Sequence, residues 1–429
     1  MDVVSTALLT DRYELTMLDA ALRDGSAERR CAFEVFGRRL PPGRRYGVVA
    51  GTGRALDALA DFRFDDATLD PIRSILAKET LDWLAAYRFG GDIEGYPEGE
   101  LYFPGSPILT VEGGFGECVV LEALMLSILN HDSAIASAAA RMVIAAGDRP
   151  LIEMGSRRTH EQAAVAAARA AYVAGFRTTS NLQAGERYGI PTAGTAAHSF
   201  TLLYADETDA FRAQVAALGP ETTLLVDTYD ITRGIEQAVA VAGTDLGGIR
   251  IDSGDLGMLA MQARAQLDAL GATKTRIVVT SDLDEHSIAA LAIAPVDGYG
   301  VGTALVTGSG APTAGLIYKL VEVEDRPVAK RSPDKASYGG RKRALRRHRS
   351  TGTATEEVVA AGVVPEAEPG DLDLQVPLVR AGERIADNDL ATARKRVAAR
   401  LVSLPWEGLA LSHGEPAIPT TMLGTPVHR

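Results

Sequence analysis

Cysteine is almost absent. The two that occur in 429 residues, Cys31 and Cys118, have neither a paired spacing nor a histidine partner. That excludes a disulfide scaffold and a zinc module and points to a reducing compartment, the cytoplasm. Long apolar runs are missing as well. The longest, 118–129, is broken by Glu122 and falls short of the roughly 20 residues a helix needs to cross a bilayer, so no membrane association is expected. Residues 1–10 have no basic start and no long apolar core, so no secretory signal is expected either. Positive charge is in deficit: 44 basic residues against 56 acidic give a net charge of −12. This argues against a nucleic-acid partner, whose domain usually presents a basic face. It does not exclude an anionic small substrate, because a local cluster of arginine and backbone N–H groups overrides net charge. No internal repeat is visible. The remaining composition, 46% hydrophobic and 23% charged, is that of a soluble globular protein, and the length allows more than one domain.

Four short runs carry the chemistry. Gly194-Thr195-Ala196-Ala197-His198-Ser199-Phe200 sets small residues before an imidazole, so a ligand can approach the backbone closely. It follows Pro191, leads into Thr201-Leu202-Leu203, and reads as a strand end meeting a loop. Leu224-Leu225-Val226-Asp227-Thr228-Tyr229-Asp230 is an apolar strand that ends in acids. Gly248-Ile249-Arg250-Ile251-Asp252-Ser253-Gly254-Asp255 puts an arginine and two aspartates around a strand-to-helix junction. Val296-Asp297-Gly298-Tyr299-Gly300-Val301-Gly302-Thr303 places glycines before a hydroxyl. Each is a strand whose C-terminal end turns polar, where α/β folds bind ligands. Singly, each has a plain structural explanation: a core histidine bonded to backbone, or aspartates capping helices. Consecutive βα junctions carrying histidine, carboxylates, arginine and glycine point together to one active site.

These runs resemble the nicotinate phosphoribosyltransferases, within the wider group of pyridine-base phosphoribosyltransferases. The resemblance spans roughly residues 8–323. It includes Leu9-Thr10-Asp11-Arg12-Tyr13-Glu14-Leu15-Thr16, Phe33-Glu34-Val35-Phe36, Phe103-Pro104-Gly105-Ser106-Pro107-Ile108-Leu109 and Glu153-Met154-Gly155-Ser156-Arg157-Arg158. It implies an α/β fold: an irregular, incomplete α/β barrel with a second α+β domain built from the N-terminal segment and later strands. The expected division is 1–115 for the N-terminal segment, 116–323 for the barrel with the active site, and 324–429 for the return to the small domain and a C-terminal extension. The implied activity joins nicotinate to phosphoribosyl pyrophosphate with ATP hydrolysis, giving nicotinate mononucleotide for NAD salvage.

In that reaction positive charge builds on the ribose as pyrophosphate departs. The site must hold two anionic ends, orient the base and neutralise the leaving group through Mg²⁺. The resemblance makes His198 the histidine phosphorylated by ATP, with Asp227 accepting a hydrogen bond from its other ring nitrogen. Asp252 resembles the carboxylate that binds ribose hydroxyls or metal. Arg250 suits the ring carboxylate or a phosphate through its planar fork; an ion pair to Asp252 or Asp255 is the structural alternative. Gly300, Gly302 and Thr303 resemble the loop that cradles the 5′-phosphate through backbone N–H groups. Arg157 is expected at pyrophosphate or phosphate, and Thr195 beside nicotinate. Tyr13 matches an aromatic that stacks on the pyridine from the neighbouring subunit, which implies a homodimer with shared sites; a core tyrosine is the alternative. Relatives that prefer nicotinamide carry an acid in the segment corresponding to Thr178-Thr179-Ser180-Asn181, and its absence here favours nicotinate. A catalytically silent nucleotide-binding barrel is the rival of another class.

Helices are expected over 13–23, 117–146 and 161–174, and β structure over 90–116. Strand and helix then alternate from 191 to 318, as in the strand 249–251 with the helix 256–270 and the strand 276–280 with the helix 285–292. The basic stretch 341–349, followed by Glu356-Glu357, invites a nucleic-acid reading out of context. A solvated loop and strand of the small domain is the reading taken, since Pro333-Asp334-Lys335 and Arg341-Lys342 resemble a turn of the family. Residues 405–429 have few periodic apolar positions and are expected along the surface or frayed.

Overall fold

A computed structural model describes residues 5–330, 338–386 and 389–424; the turn at Pro333-Asp334-Lys335 lies outside the described residues. The chain divides into two compact units, Met1–Ser137 with Thr313–Arg429, and Ala138–Pro312. Both boundaries fall within the segment 116–323 that the sequence reading gave to the barrel.

The second unit is built on a parallel sheet. Its strands are β1 (Leu151–Glu153), β2 (Thr178–Thr179), β3 (Thr223–Leu225), β4 (Gly248–Ile251), β5 (Arg276–Val279) and β6 (Gly298–Val301). They lie in the order β2-β1-β6-β5-β4-β3, every neighbouring pair parallel. The sheet curls into a half-barrel whose first and last strands do not pair, so the expected incomplete ring is what the chain forms. Parallel strands need crossover connections, supplied by helices such as Glu161–Ala174, Ile231–Ala242 and Leu256–Ala269. Alanine-rich Glu161–Ala174 is buried on nearly all sides, because small side chains let it pack closely. Asp206, Asp230, Asp255 and Asp284 each cap the helix that follows, their carboxylates accepting from first-turn N–H groups. Asp255, one of the two acids after β4, is therefore a cap.

One local reading is corrected. His198 does not end a strand: it opens a short helix, His198–Leu202, after an extended stretch. The run Phe200-Thr201-Leu202-Leu203 is too brief to distinguish strand from helix by periodicity; the stretch touches the sheet only upstream, through the parallel Thr179–Thr192 bridge.

The first unit holds a seven-stranded antiparallel-rich sheet, in the spatial order Arg326–Pro327, Leu316–Val323, Arg30–Gly37, Leu109–Gly114, Asp92–Gly95, Val376–Arg380, Glu383–Arg384. Arg30–Gly37 lies inside the sheet and is buried from Cys31 onward, its apolar residues interrupted by one buried acid, Glu34; Phe33 stacks on Tyr318 with ring centroids 4.8 Å apart. The stretch Phe115–Ala146 is long and apolar enough to cross a membrane by length and composition, but 67% of its most apolar window is buried in the protein. The 118–129 run thus spans the end of a short helix, Phe115–Val119, and the start of a longer one, Glu122–Ala146, continued by alanines and serines.

The basic stretch is a strand, Lys342–His348, as expected for the small domain, but only partly solvated: Arg343 is exposed, whereas Lys342 and Arg346 are buried. Its partner Ala354–Ala361 sets Glu357 opposite Arg346 and Glu356 opposite Arg347. Arg346 is fully buried, with Nη1 2.5 Å from Glu100 and Nη2 2.9 Å from Glu357. Lys342 is buried 2.6 Å from Glu34, and Arg341 reaches Glu112 and Glu322. The acids that follow the basic run in sequence are therefore its cross-strand counter-charges. Nor does the C-terminal region simply fray: Thr420–Leu423 adds to Ala354–Ala361 as a parallel edge strand.

Candidate active site

The strand ends of the half-barrel surround a cavity of about 410 Å³ within the second unit. Its lining includes Arg157, Thr195, Arg250, Asp252, Gly300, Gly302 and Thr303, all expected from sequence. His198 and Asp227 stand beside Asp252 at the same strand ends.

Register explains the grouping. Leu225, Arg250, Val278 and Gly298 are neighbours across β3, β4, β5 and β6. Side chains two residues apart share a face of a strand, so Asp227, Asp252, Thr280 and Gly300 form the next layer, at the mouth. Asp252 N–H donates to Asp227 Oδ2 at 2.8 Å, and Ser253 Oγ donates to the same oxygen at 2.7 Å. The other oxygen of Asp227 is buried with no hydrogen-bond partner.

His198 presents Nε2 to two carboxylates, Asp227 Oδ1 at 3.9 Å and Asp252 Oδ2 at 3.8 Å, while Nδ1 lies 3.2 Å from Thr228 Oγ1. The expected Asp227–His198 hydrogen bond is not formed: His198 Nε2 stands at a longer and nearly equal distance from Asp227 Oδ1 and Asp252 Oδ2. Its imidazole is 38% exposed whereas the Asp227 carboxylate is 1% exposed, so the ring can meet a ligand and the acid beneath it cannot.

Arg250 makes no ion pair with Asp255, which is occupied as a cap. Its Nη1 donates to Thr195 Oγ1 at 2.9 Å, and its Nε is buried without a partner. Burial lowers its pKa, opposed by the Asp252 and Asp227 carboxylates and reinforced by Arg157. A guanidinium with idle donors, and a second arginine close by, is suited to an anion.

Glycine is required at one point of the loop. A Cβ on Gly300 would come within 2.5 Å of Thr280 Cγ2 and 2.7 Å of Met154 Sδ. After Gly302, Thr303 opens the turn Thr303–Val306. Arg157 is exposed on the turn after β1. That turn is fastened by Glu153, 1% exposed, which accepts from Gly155 N–H and Thr179 Oγ1; burial pushes its carboxyl upward. Tyr13 belongs to the first unit, on helix Arg12–Asp24, and is 47% exposed, so it is not a core tyrosine.

Beyond Ser180, whose segment bears on base choice, sequence reading missed Thr280, Ser281 and Asp282 in the lining. These three follow β5, whose apolar run turns polar at its C-terminal end as β3 and β4 do. That signal was present. Thr228 at His198 Nδ1 and the anchor Glu153 carried no such signal.

Among the described residues, no group of three or more His, Cys, Asp or Glu is placed to hold a metal ion by itself.

Comparison with known proteins narrows the class. Human nicotinic acid phosphoribosyltransferase has a crystal structure that superposes with a TM-score of 0.83 at 27% identity, over 96% of this chain and 97% of that one. The nicotinate-nucleotide pyrophosphorylase of Pyrococcus furiosus shares the fold, with a TM-score of 0.78 at 23% identity over 94% and 98% of the two chains. An open parallel barrel with an arginine-lined cavity over its strand ends, in this company, is a phosphoribosyltransferase. Residues 8–130 match the nicotinate phosphoribosyltransferase (NAPRTase) N-terminal domain. Over 422 residues the chain is 66% identical to nicotinate phosphoribosyltransferase pncB1 of Mycobacterium tuberculosis, covering 96% of this chain and 94% of the relative. Nicotinate phosphoribosyltransferase of Bacillus subtilis is 39% identical over 359 residues, 80% of this chain and 73% of that protein. The chain belongs to the nicotinate phosphoribosyltransferase family.

Proposed function

We propose that this enzyme joins nicotinate to phosphoribosyl pyrophosphate and couples the step to ATP hydrolysis through His198, supplying nicotinate mononucleotide for NAD salvage in the cytoplasm. The pyridine nitrogen attacks C1 of the ribose, the bond from C1 to pyrophosphate oxygen breaks, and its electron pair leaves with pyrophosphate. The nitrogen has no proton to lose, so positioning and charge do the work. One observation carries the reading: Arg250, with a buried and idle Nε, beside Thr195 and facing the cavity. Its fork suits the nicotinate carboxylate or a phosphate. The segment Thr178-Thr179-Ser180-Asn181 brings Ser180, not an acid, to the lining, in keeping with an anionic base rather than nicotinamide.

Asp252, one-third exposed at the mouth, suits the ribose hydroxyls. Gly300, Gly302 and Thr303 offer backbone N–H groups to the 5′-phosphate, and Arg157 a charge for pyrophosphate. Mg²⁺ commonly uses one or two carboxylates together with phosphate oxygens and water; Asp252, one-third exposed, could supply one, so the donor set fits a metal held jointly with substrate. When bound, Mg²⁺ would neutralise the departing pyrophosphate. ATP phosphorylates the His198 imidazole, and water later releases phosphate, giving ADP and phosphate overall. Tyr13, exposed on its helix, is available to stack on the pyridine of a second subunit in a homodimer.

Pyrophosphate release with nicotinate, nicotinamide or quinolinate, each with and without ATP, tests the proposal. The expected result is strong release with nicotinate that ATP enhances. Tight ligand binding without turnover of any base would instead favour the silent barrel.

A further inference from the structure

Thr280 stands in the same layer as Asp227, Asp252 and Gly300, yet nothing in the proposed chemistry calls on it. It is 4% exposed. Its N–H donates to Ile251 O at 2.9 Å, continuing the sheet one step beyond β5, and its Oγ1 donates to Asp252 Oδ1. The methyl faces Gly300, where a Cβ would come within 2.5 Å of it. A β-branched side chain confined on one branch has little freedom at χ1, so the hydroxyl is held on the carboxylate. Directly after it the chain turns through Ser281 at φ 122°, a conformation a side chain rarely adopts. That turn ends the strand at Thr280 and sends Ser281 and Asp282 around the cavity.

We propose that Thr280 is a positioning residue for Asp252. It fixes Oδ1 and so leaves Oδ2 turned toward His198 Nε2, 3.8 Å away, and toward the cavity. Backbone N–H of Asp252 is already fixed by Asp227, but a carboxylate one-third exposed has no other described restraint on its rotation. The inference rests on the ribose-binding role given to Asp252 above.

The test pairs Thr280→Val, which keeps the shape and removes the donor, with Thr280→Ser, which keeps the donor and removes the methyl. Thr280→Val is expected to lower kcat/KM for pyrophosphate release by about 10–100-fold, the usual effect of losing a hydrogen bond to a charged group, with thermal melting close to wild type. Thr280→Ser should recover most of that loss. Binding of phosphoribosyl pyrophosphate, followed by calorimetry, supplies a double-mutant cycle with Asp252→Ala. If Thr280 acts through Asp252, Thr280→Val weakens binding in the wild-type background and has almost no effect, within about threefold, in Asp252→Ala. Equal losses in both backgrounds, or Thr280→Ser falling as far as Thr280→Val, would overturn the inference. Should the wild-type protein turn over no pyridine base, the functional reading fails while the binding cycle still decides the Thr280–Asp252 coupling.

Discussion

Nε2 of His198 and Oδ1 of Asp227 face each other across 3.9 Å, and that oxygen is buried with no hydrogen-bond partner. An unmatched carboxylate oxygen away from water is costly, so the pair stores an unmet interaction at the place where ligand chemistry is expected. A modest turn of the imidazole would close the gap, and Asp252 offers the same nitrogen a second acceptor at 3.8 Å. The half-exposed ring is thus the adjustable member of a rigid acidic layer.

If His198 carries phosphate from ATP, incubation with γ-labelled ATP gives an acid-labile label on the wild-type protein and none on His198→Ala. The variant should lose ATP stimulation and keep a slow ATP-independent transfer, because the residues that position substrate remain. Full ATP coupling in His198→Ala would refute the assignment.

Arg250→Ala is expected to reduce kcat/KM by about 10–100-fold, the range for a lost charge-assisted hydrogen bond. Where the fork meets the ring carboxylate, the loss is larger for nicotinate than for nicotinamide. Arg250→Lys keeps the charge without the planar fork and should restore only part of the rate. Steady-state kinetics with both bases decide; equal losses would assign Arg250 to a phosphate or to structure.

Arg346 predicts stability rather than activity. Truncation to alanine leaves Glu357 buried without its cation and Glu100 with Arg400 alone, a loss of about 3–5 kcal/mol. Urea unfolding of Arg346→Ala should show a midpoint shifted accordingly. An unchanged midpoint would mean that water or a neighbouring cation, such as Arg400 on Glu100 at 2.7 Å, takes over the charge.

Glu14 gives a pH dependence. It is fully buried, accepting from Thr10 Oγ1 and from Ala123 N–H at 3.0 Å, and burial pushes its carboxyl up to about 7. Between the unfolded value of about 4.3 and 7 the folded chain binds more protons than the unfolded one, so this group lowers stability as pH rises through that window. Glu14→Gln removes the titration. Its stability relative to wild type should therefore improve from pH 5 to pH 7 and level off above, as thermal melts of both proteins would show. A constant difference between them would refute the shift.

The proposed homodimer makes its own prediction. Separately impaired Tyr13→Ala and His198→Ala proteins, mixed under conditions of subunit exchange, should regain ATP-stimulated activity, since one site of each hybrid then draws tyrosine and histidine from intact copies. No recovery despite proven exchange, or a fully active monomer in sedimentation, would show that each chain builds its own site.

By itself the sequence determined the parallel βα order, because short apolar strands and capped helices alternate in it and that pattern depends on near neighbours alone. It also singled out most of the cavity lining, since strand ends that turn polar are visible locally: Arg250, Asp252 and the Gly300–Thr303 loop lie where they were read. Tertiary structure decided what spacing cannot carry. Register between β3, β4, β5 and β6 sets Asp227, Asp252 and Thr280 side by side, although each is separated from the next by more than two dozen residues. His198 opens a helix that its run is too short for periodicity to reveal. The basic stretch changed meaning as well. Its charges look solvated one residue at a time, and only the antiparallel pairing of Lys342–His348 with Ala354–Ala361, with Glu34 and Glu100 brought from far upstream, turns them into a buried ionic network. Long-range electrostatic partners leave no local trace, and they decide whether a charge faces water or the core.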